Sequence, residues 1–195
     1  MEDFPAEYSA EERRWLLRLA HVSIRAAVTG IAPHIDELAA GARTHLHEAR
    51  GAFATLHKNG ELRGCIGMIM AVRPLDETVR EMARAAALED PRFPPVSEPE
   101  LGSLQLEISV LSPMFEIKPQ DVIVGRHGLL VSYGAQRGLL LPQVAPEWGW
   151  DRETFLAQTC RKAGLSPEQW KHGAKVEAFT AEVFSETTAG DSLWD

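Results

Sequence analysis

Arg63 and Cys65 stand two apart in Leu62-Arg63-Gly64-Cys65-Ile66-Gly67. On a regular strand that spacing turns both side chains to one face. A guanidinium beside a thiol favours the thiolate, the form of cysteine that attacks an electrophile. Gly64 and Gly67 would clear space beside the thiol, because glycine in an apolar strand marks a bulge or a place where a ligand meets the backbone. The same residues admit a second reading. Cys65 would then be a small core residue and Arg63 the partner of a carboxylate across the sheet. Cys160 lies beside Leu156 on the apolar face of a helix and reads as core.

Other groups are candidates for the same chemistry. His127 lies in Gly125-Arg126-His127-Gly128, a turn-like setting that would expose the ring. Paired with Cys65 it would make a Cys-His couple with the histidine as base; alternatively it only tolerates a tight turn. Asp90 and Arg92 sit in the proline-stiffened loop Asp90-Pro91-Arg92-Phe93-Pro94-Pro95, where they would anchor a polar ligand or pair with each other to shape the loop. His45 and His47 form a His-x-His pair with Glu48 beside it. On a strand the two rings would share a metal and on a helix they would diverge. The sequence offers no clear third ligand, so no metal is expected. Cys-x-x-Cys spacing and a glycine-rich phosphate loop are both absent, and no cofactor is expected.

These residues need elements to hold them. Ser9-Ala10-Glu11-Glu12 reads as a capping box, followed by Trp15, Leu16, Leu19, Val22, Ala26 and Ala27 at helical spacing and Gly30 as a stop. Thr44 to Arg50 is read as a short helical turn or an extended segment. Gly51 to His57 alternates as a strand, Asn59-Gly60 is a hairpin turn, and a return strand runs from Leu62 to about Ala71. Pro74 opens a helix to Leu88. Leu104, Leu106, Ile108 and Val110 mark a half-buried strand.

The second half starts again, with a short strand at Val122 to Val124, then Gly128 to Tyr133, a turn, and a return strand from Leu139 to Val144. Asp151 caps a helix stopped by Gly164, Ser166-Pro167-Glu168-Gln169 reads as a second capping box, and Phe179 to Phe184 alternates as one last strand. Trp148-Gly149-Trp150-Asp151 would be an aromatic wall or a helix-entry staple. Each half therefore runs hairpin, helix, strand, which suggests a duplicated unit. The expected fold is α+β, a largely antiparallel sheet with flanking helices. One domain is expected over residues 9–186, divisible into two subdomains, with a polar, frayed tail over 187–195.

The totals bound the function. The 195 residues are 45% hydrophobic and 25% charged, ordinary for a globular protein. The balance is acidic, with 20 Lys and Arg against 28 Asp and Glu for a net charge of −8. A negative chain lacks the field that draws proteins to phosphate backbones, so nucleic acid is not the expected partner. Two well-separated cysteines suit a reduced compartment. The N-terminus lacks a basic region followed by an apolar run, and no apolar stretch has the length of a membrane span. A soluble cytoplasmic protein with no membrane partner is expected.

Ordered motifs carry a resemblance. Phe53-Ala54-Thr55-Leu56, Leu62 to Gly67, Asp90-Pro91-Arg92-Phe93, Ile108-Ser109-Val110-Leu111, Gly125 to Gly128, Leu141-Pro142-Gln143-Val144 and Lys162-Ala163-Gly164-Leu165 occur in that order. The chain resembles the AMMECR-one domain family, whose prokaryotic members are called AmmeMemoRadiSam system protein A, over about Ser9 to Glu186. Ala54 departs from the pattern, which has a bulkier β-branched residue there; the change touches packing and no site residue. The resemblance implies an α+β fold with a larger and a smaller subdomain. It also implies a place in a modification pathway with a Memo-type and a radical S-adenosylmethionine protein as partners.

On this basis Cys65, Arg63 and His127 are the candidate catalytic residues. Gly64, Ile66, Gly67, Asp90, Arg92 and Gln143 are the candidate ligand contacts, for a small molecule or a peptide. The rival readings are a non-catalytic ligand-binding or protein-adaptor module and, against the acidic balance, RNA binding in translation-related machinery.

Overall fold

The computed structural model describes residues 6–31, 34 and 45–186. These form two compact units, the first holding the chain up to Leu111 and from Glu182 on, the second holding Ser112–Ala181. Residues 32–33 and 35–44 and the tail read as 187–195 lie outside the described residues.

In chain order the first unit begins with α1 (Ala10–Thr29). The Ser9 hydroxyl accepts from the Glu12 peptide nitrogen while Glu12 accepts from that of Ser9, and Gly30 ends the helix at φ 75°. A short helical turn at His45 and Leu46 leads into β1 (Ala52–Lys58) and β2 (Glu61–Met68). Asn59 and Gly60 join the strands with φ of 55° and 83°, the left-handed pair that a tight hairpin needs. Then come α2 (Leu75–Leu88) and β3 (Leu104–Leu111). The second unit has β4 (Phe115–Glu116), β5 (Gly128–Tyr133), β6 (Gln136–Leu140), the short α3 (Val144–Glu147), α4 (Arg152–Lys162) and β7 (Lys175–Phe179). The chain closes with β8 (Ala181–Ser185).

Two four-stranded sheets result, in the orders β2-β1-β3-β8 and β4-β7-β5-β6. In each, the third strand pairs antiparallel with the first strand of its hairpin, β3 on β1 and β7 on β5. The second unit thus repeats the plan of the first, hairpin, helix, strand. The correspondence extends to packing. A Cβ on Gly64 of β2 would collide with the Ala86 carbonyl of α2, and one on Gly138 of β6 would collide with the Ala163 backbone at the end of α4. Each return strand therefore lacks a side chain where its following helix presses on it.

The first core joins Leu16, Leu17, Ala20 and Ile24 of α1, Val79, Met82, Ala83 and Ala86 of α2, and the inward faces of β1 and β3. On β1 the buried residues are Ala52, Ala54 and Leu56, so Phe53, Thr55 and His57 point to the other face. The second core gathers Val122, Leu129, Val131, Phe155, Leu156, Cys160, Val176 and Ala178.

Four expectations need correction. Residues 122–124 form no strand; Val122 caps a 3₁₀ turn over Pro119–Asp121, and proline cannot donate to a ladder. β6 ends at Leu140, and the expected strand residues 141–144 turn into α3 because Pro142 stops the pairing. No capping box forms at Ser166; a 3₁₀ turn starts after Glu168, which makes no side-chain cap bond. The last alternation is two strands in different sheets. Ser112 Oγ accepts from the Thr180 nitrogen at 2.9 Å and the Ser112 nitrogen donates to the Thr180 carbonyl at 2.9 Å, which ends β7 before β8 begins.

Candidate functional site

Cys65 sits on the edge strand of the first sheet, directly opposite Thr55. Its peptide nitrogen donates to Asp90 Oδ2 at 2.8 Å and its carbonyl accepts from Arg92 Nη2 at 3.3 Å. Both backbone groups therefore face away from β1, which makes Cys65 and Thr55 a non-hydrogen-bonded pair, the kind whose side chains lie closer. The Thr55 hydroxyl accordingly reaches Cys65 Sγ at 3.4 Å. On the far side of β1, Thr55 faces Glu107 of β3. Cys65, Thr55 and Glu107 form a polar row across three strands, on the face turned away from the helices.

The loop after α2 fixes this row in place. The Asp90 side chain is only 2% exposed and takes both Arg92 Nε at 2.9 Å and Arg92 Nη2 at 2.7 Å. The guanidinium beside it, with help from the Cys65 and Arg92 peptide nitrogens, holds the Asp90 carboxyl well below its usual range. The same pairing raises Arg92, with the sulfur of Cys65 among the smaller contributors. The sequence left Asp90 and Arg92 either as ligand anchors or as a self-paired loop device. They pair with each other, and together they cap the free edge of β2 at Cys65, an edge that would otherwise offer unpaired backbone.

Arg63 has a different partner. The register of β1 on β2 shifts between Leu56, opposite Gly64, and His57, opposite Leu62, so Arg63 is the extra residue of a bulge. The bulge interrupts the two-residue alternation that put Arg63 beside the thiol. Its Nε and Nη2 donate to Glu100 at 3.1 and 3.3 Å, and Lys58 Nζ joins them at 3.0 Å. Glu100 also accepts from the Ser97 nitrogen and hydroxyl. Arg63 first, then these donors, hold its carboxyl well below the usual range. Arg63 is thus a carboxylate partner, and the cation nearest the Cys65 backbone is Arg92.

The other candidates resolve one by one. Gly64 and Gly67 clear no cleft: the space at Gly64 belongs to α2 and that at Gly67 to the Phe53 ring. Ile66 packs against the first core as a half-buried apolar residue. His127, expected to be exposed, is 6% exposed. Its Nδ1 accepts from the Ile123 nitrogen at 3.1 Å and its ring meets Phe115 edge-on at 5.9 Å, so it closes its own turn in the second unit. Burial, and next the Arg126 charge, lower its pKa. Gln143 is exposed at the head of α3 and makes no side-chain cap bond. Cys160 is fully buried, and burial pushes its thiol up. Trp150 packs against the second core, of which Phe155 is a member, and stacks on the exposed Trp148 at 6.0 Å. His45 and His47 diverge, with His45 against Glu12 at 2.9 Å and His47 against Asp76 at 3.5 Å. No helix among the described residues is long and apolar enough to cross a membrane.

The family model described as AMMECR1 matches residues 17–184, nearly the whole span from α1 to β8. The chain belongs to the AMMECR1 family. It is 48% identical over 158 residues to a protein of Thermococcus onnurineus, a match covering 75% of this chain and 77% of the other. To protein MJ0810 of Methanocaldococcus jannaschii it is 47% identical over 150 residues, 72% of this chain and 75% of that one. The crystal structure of the uncharacterized protein PH0010 from Pyrococcus horikoshii superposes with a TM-score of 0.77 at 40% identity, covering 96% of this chain and 97% of that one.

Two residues of this AMMECR1 domain escaped sequence reasoning. Thr55 was visible only as a strand residue, although its place opposite Cys65 follows from counting back through the Asn59-Gly60 turn once the bulge is known. Glu100 does carry a local signal: Ser97 and Glu100 form a capping box on the 3₁₀ turn Glu98–Ser103.

Proposed function

We propose that this AMMECR1 protein is a component of a modification pathway, working beside a Memo-type and a radical S-adenosylmethionine protein, with Cys65 as its reactive group. The pathway and its partners rest on the family resemblance. One observation carries the assignment to Cys65: its half-buried thiol lies on the sheet face away from the core, with the Thr55 hydroxyl at 3.4 Å and the Arg92 guanidinium on its own carbonyl. Thr55 and Arg92 both approach Cys65 from outside the core, whereas Cys160 is fully buried within the second core. In this reading Arg92 takes the role first given to Arg63.

The test is competitive alkylation of the folded chain with iodoacetamide, mapped by mass spectrometry. Cys65 is expected to be modified well before Cys160. Arg92→Gln is expected to slow Cys65 severalfold, whereas Arg63→Gln leaves the rate close to the parent value. A second reading, a non-catalytic ligand-binding or adaptor module, draws support from the engagement of Arg63 by Glu100 and from the filled space at both glycines. Cys65 labelling only on unfolding would favour that module.

A further inference from the structure

The chain just before α1 and the segment entering β1 meet at a cluster of ligand-bearing side chains that the Cys65 site does not use. Glu7, His45 and Glu48 each offer one ligand atom, all within 4.8 Å of one another. His45 is held in a particular way. Its Nδ1 lies 2.9 Å from Glu12 Oε1, and Glu12 is a buried carboxylate whose other oxygen accepts from the Ser9 nitrogen at 2.7 Å. A carboxylate on Nδ1 fixes the ring and makes the other nitrogen the better metal ligand. That nitrogen, Nε2, faces Glu7 Oε1 at 3.8 Å.

A second and independent observation comes from Tyr8. Its ring stacks on His45 at 4.7 Å, and the residue is 1% exposed. Its hydroxyl is buried without a hydrogen-bond partner. The residue stands next to Glu7 in the chain and beneath the His45 ring, so the unpartnered hydroxyl belongs to the same neighbourhood as two of the three ligands. An orphaned buried hydroxyl is costly, and a native structure calls for something to meet it.

Charge agrees with geometry. Four carboxylates, Glu7, Glu12, Glu48 and Glu182, surround two guanidiniums. Arg13 pairs with Glu182 at 2.8 Å, and Arg50 bridges Glu7 at 2.8 Å and Glu48 at 2.7 Å. Arg50 already does with one positive charge what a metal would do with two, drawing the two glutamates together. Arg50 engages one oxygen of each, Oε1 of Glu7 and Oε2 of Glu48.

We propose that His45, Glu7 and Glu48 bind a divalent first-row transition ion, with Tyr8 beneath it and Arg50 as the competing cation. One imidazole and two carboxylates without a thiolate suit zinc, cobalt or manganese better than a soft ion. The His45-x-His47 spacing hid this set, because the missing ligand lies ahead of α1 and His47 turns away to Asp76. The bound ion would tie the segment before α1 to the entrance of β1.

The test uses the full chain, prepared without a histidine tag and stripped with a chelator, titrated calorimetrically with zinc and in parallel with magnesium. One equivalent of zinc is expected, with magnesium much weaker. Cobalt should give visible d–d bands without a thiolate charge-transfer band, which separates this site from Cys65. His45→Gln and Glu48→Gln should each weaken zinc by at least about tenfold. Glu48 is exposed, so its variant reads binding without threatening the fold. His47→Gln should change little, and Arg50→Gln should tighten zinc severalfold by removing the competitor. No stoichiometric binding, binding that survives both ligand variants, or loss of binding in His47→Gln would overturn the proposal.

Discussion

The Cys65 peptide nitrogen donates to Asp90 Oδ2 at 2.8 Å, so the loop after α2 closes the free edge of β2 at the residue that carries the thiol. Asp90 in turn is gripped by Arg92, whose guanidinium also reaches the Cys65 carbonyl. The position of the thiol and the shape of the loop are one structure.

Asp90→Ala should therefore disturb both. It leaves the Cys65 strand N–H without its acceptor, a loss of about 1–3 kcal/mol, and releases the Arg92 guanidinium, 54% exposed, to water. Urea denaturation should show a lower midpoint, and hydrogen exchange should show the Cys65 amide losing protection ahead of its strand neighbours.

The depressed carboxyls of Asp90 and Glu100 predict the acid response. Below the unfolded carboxyl range, about pH 4, the unfolded chain binds more protons than the folded one. Stability is therefore fully present above that range and is lost as pH falls toward the folded values. Melting temperature should hold through neutral pH and drop steeply below about pH 4, and Glu100→Gln should flatten part of that drop.

His127 should titrate below the ordinary histidine range, because burial disfavours its charged form. A lowered folded pKa gives stability that is present above about pH 6.5 and declines as pH falls through the folded value. Its imidazole resonances, followed by NMR against pH, should report neutral ring chemistry at pH 7 with the Nδ1 acceptor intact.

The glycines give a graded series. Gly64→Ala and Gly138→Ala should each cost about 1–3 kcal/mol, since the new Cβ meets helix backbone that cannot step aside. Gly102→Ala, with open space around it, should be close to neutral. Comparable melts for all three would show that helix contact is not what the return-strand glycines serve.

The local chemistry was legible in the sequence. Ser9 with Glu12 fixed the start of α1, Asn59-Gly60 fixed the hairpin, and the two-residue alternation fixed β3, because each signal acts within a few residues. The repeated order of elements announced two like units, and the ordered motifs announced the family. What the sequence could not supply was partnership. The bulge that takes Arg63 out of register with Cys65 depends on how two strands fit, and neither strand signals it alone. Glu100, Asp90 and Thr55 acquire their roles from neighbours brought close by the sheet and its loops. His127 is buried inside a turn whose Ile123 and Gly125 stay exposed, its ring edge-on to Phe115 of β4, which the turn residues alone do not announce. Turns and caps are short-range events written in adjacent residues, whereas burial and ion pairing depend on which distant segments the folded core brings together.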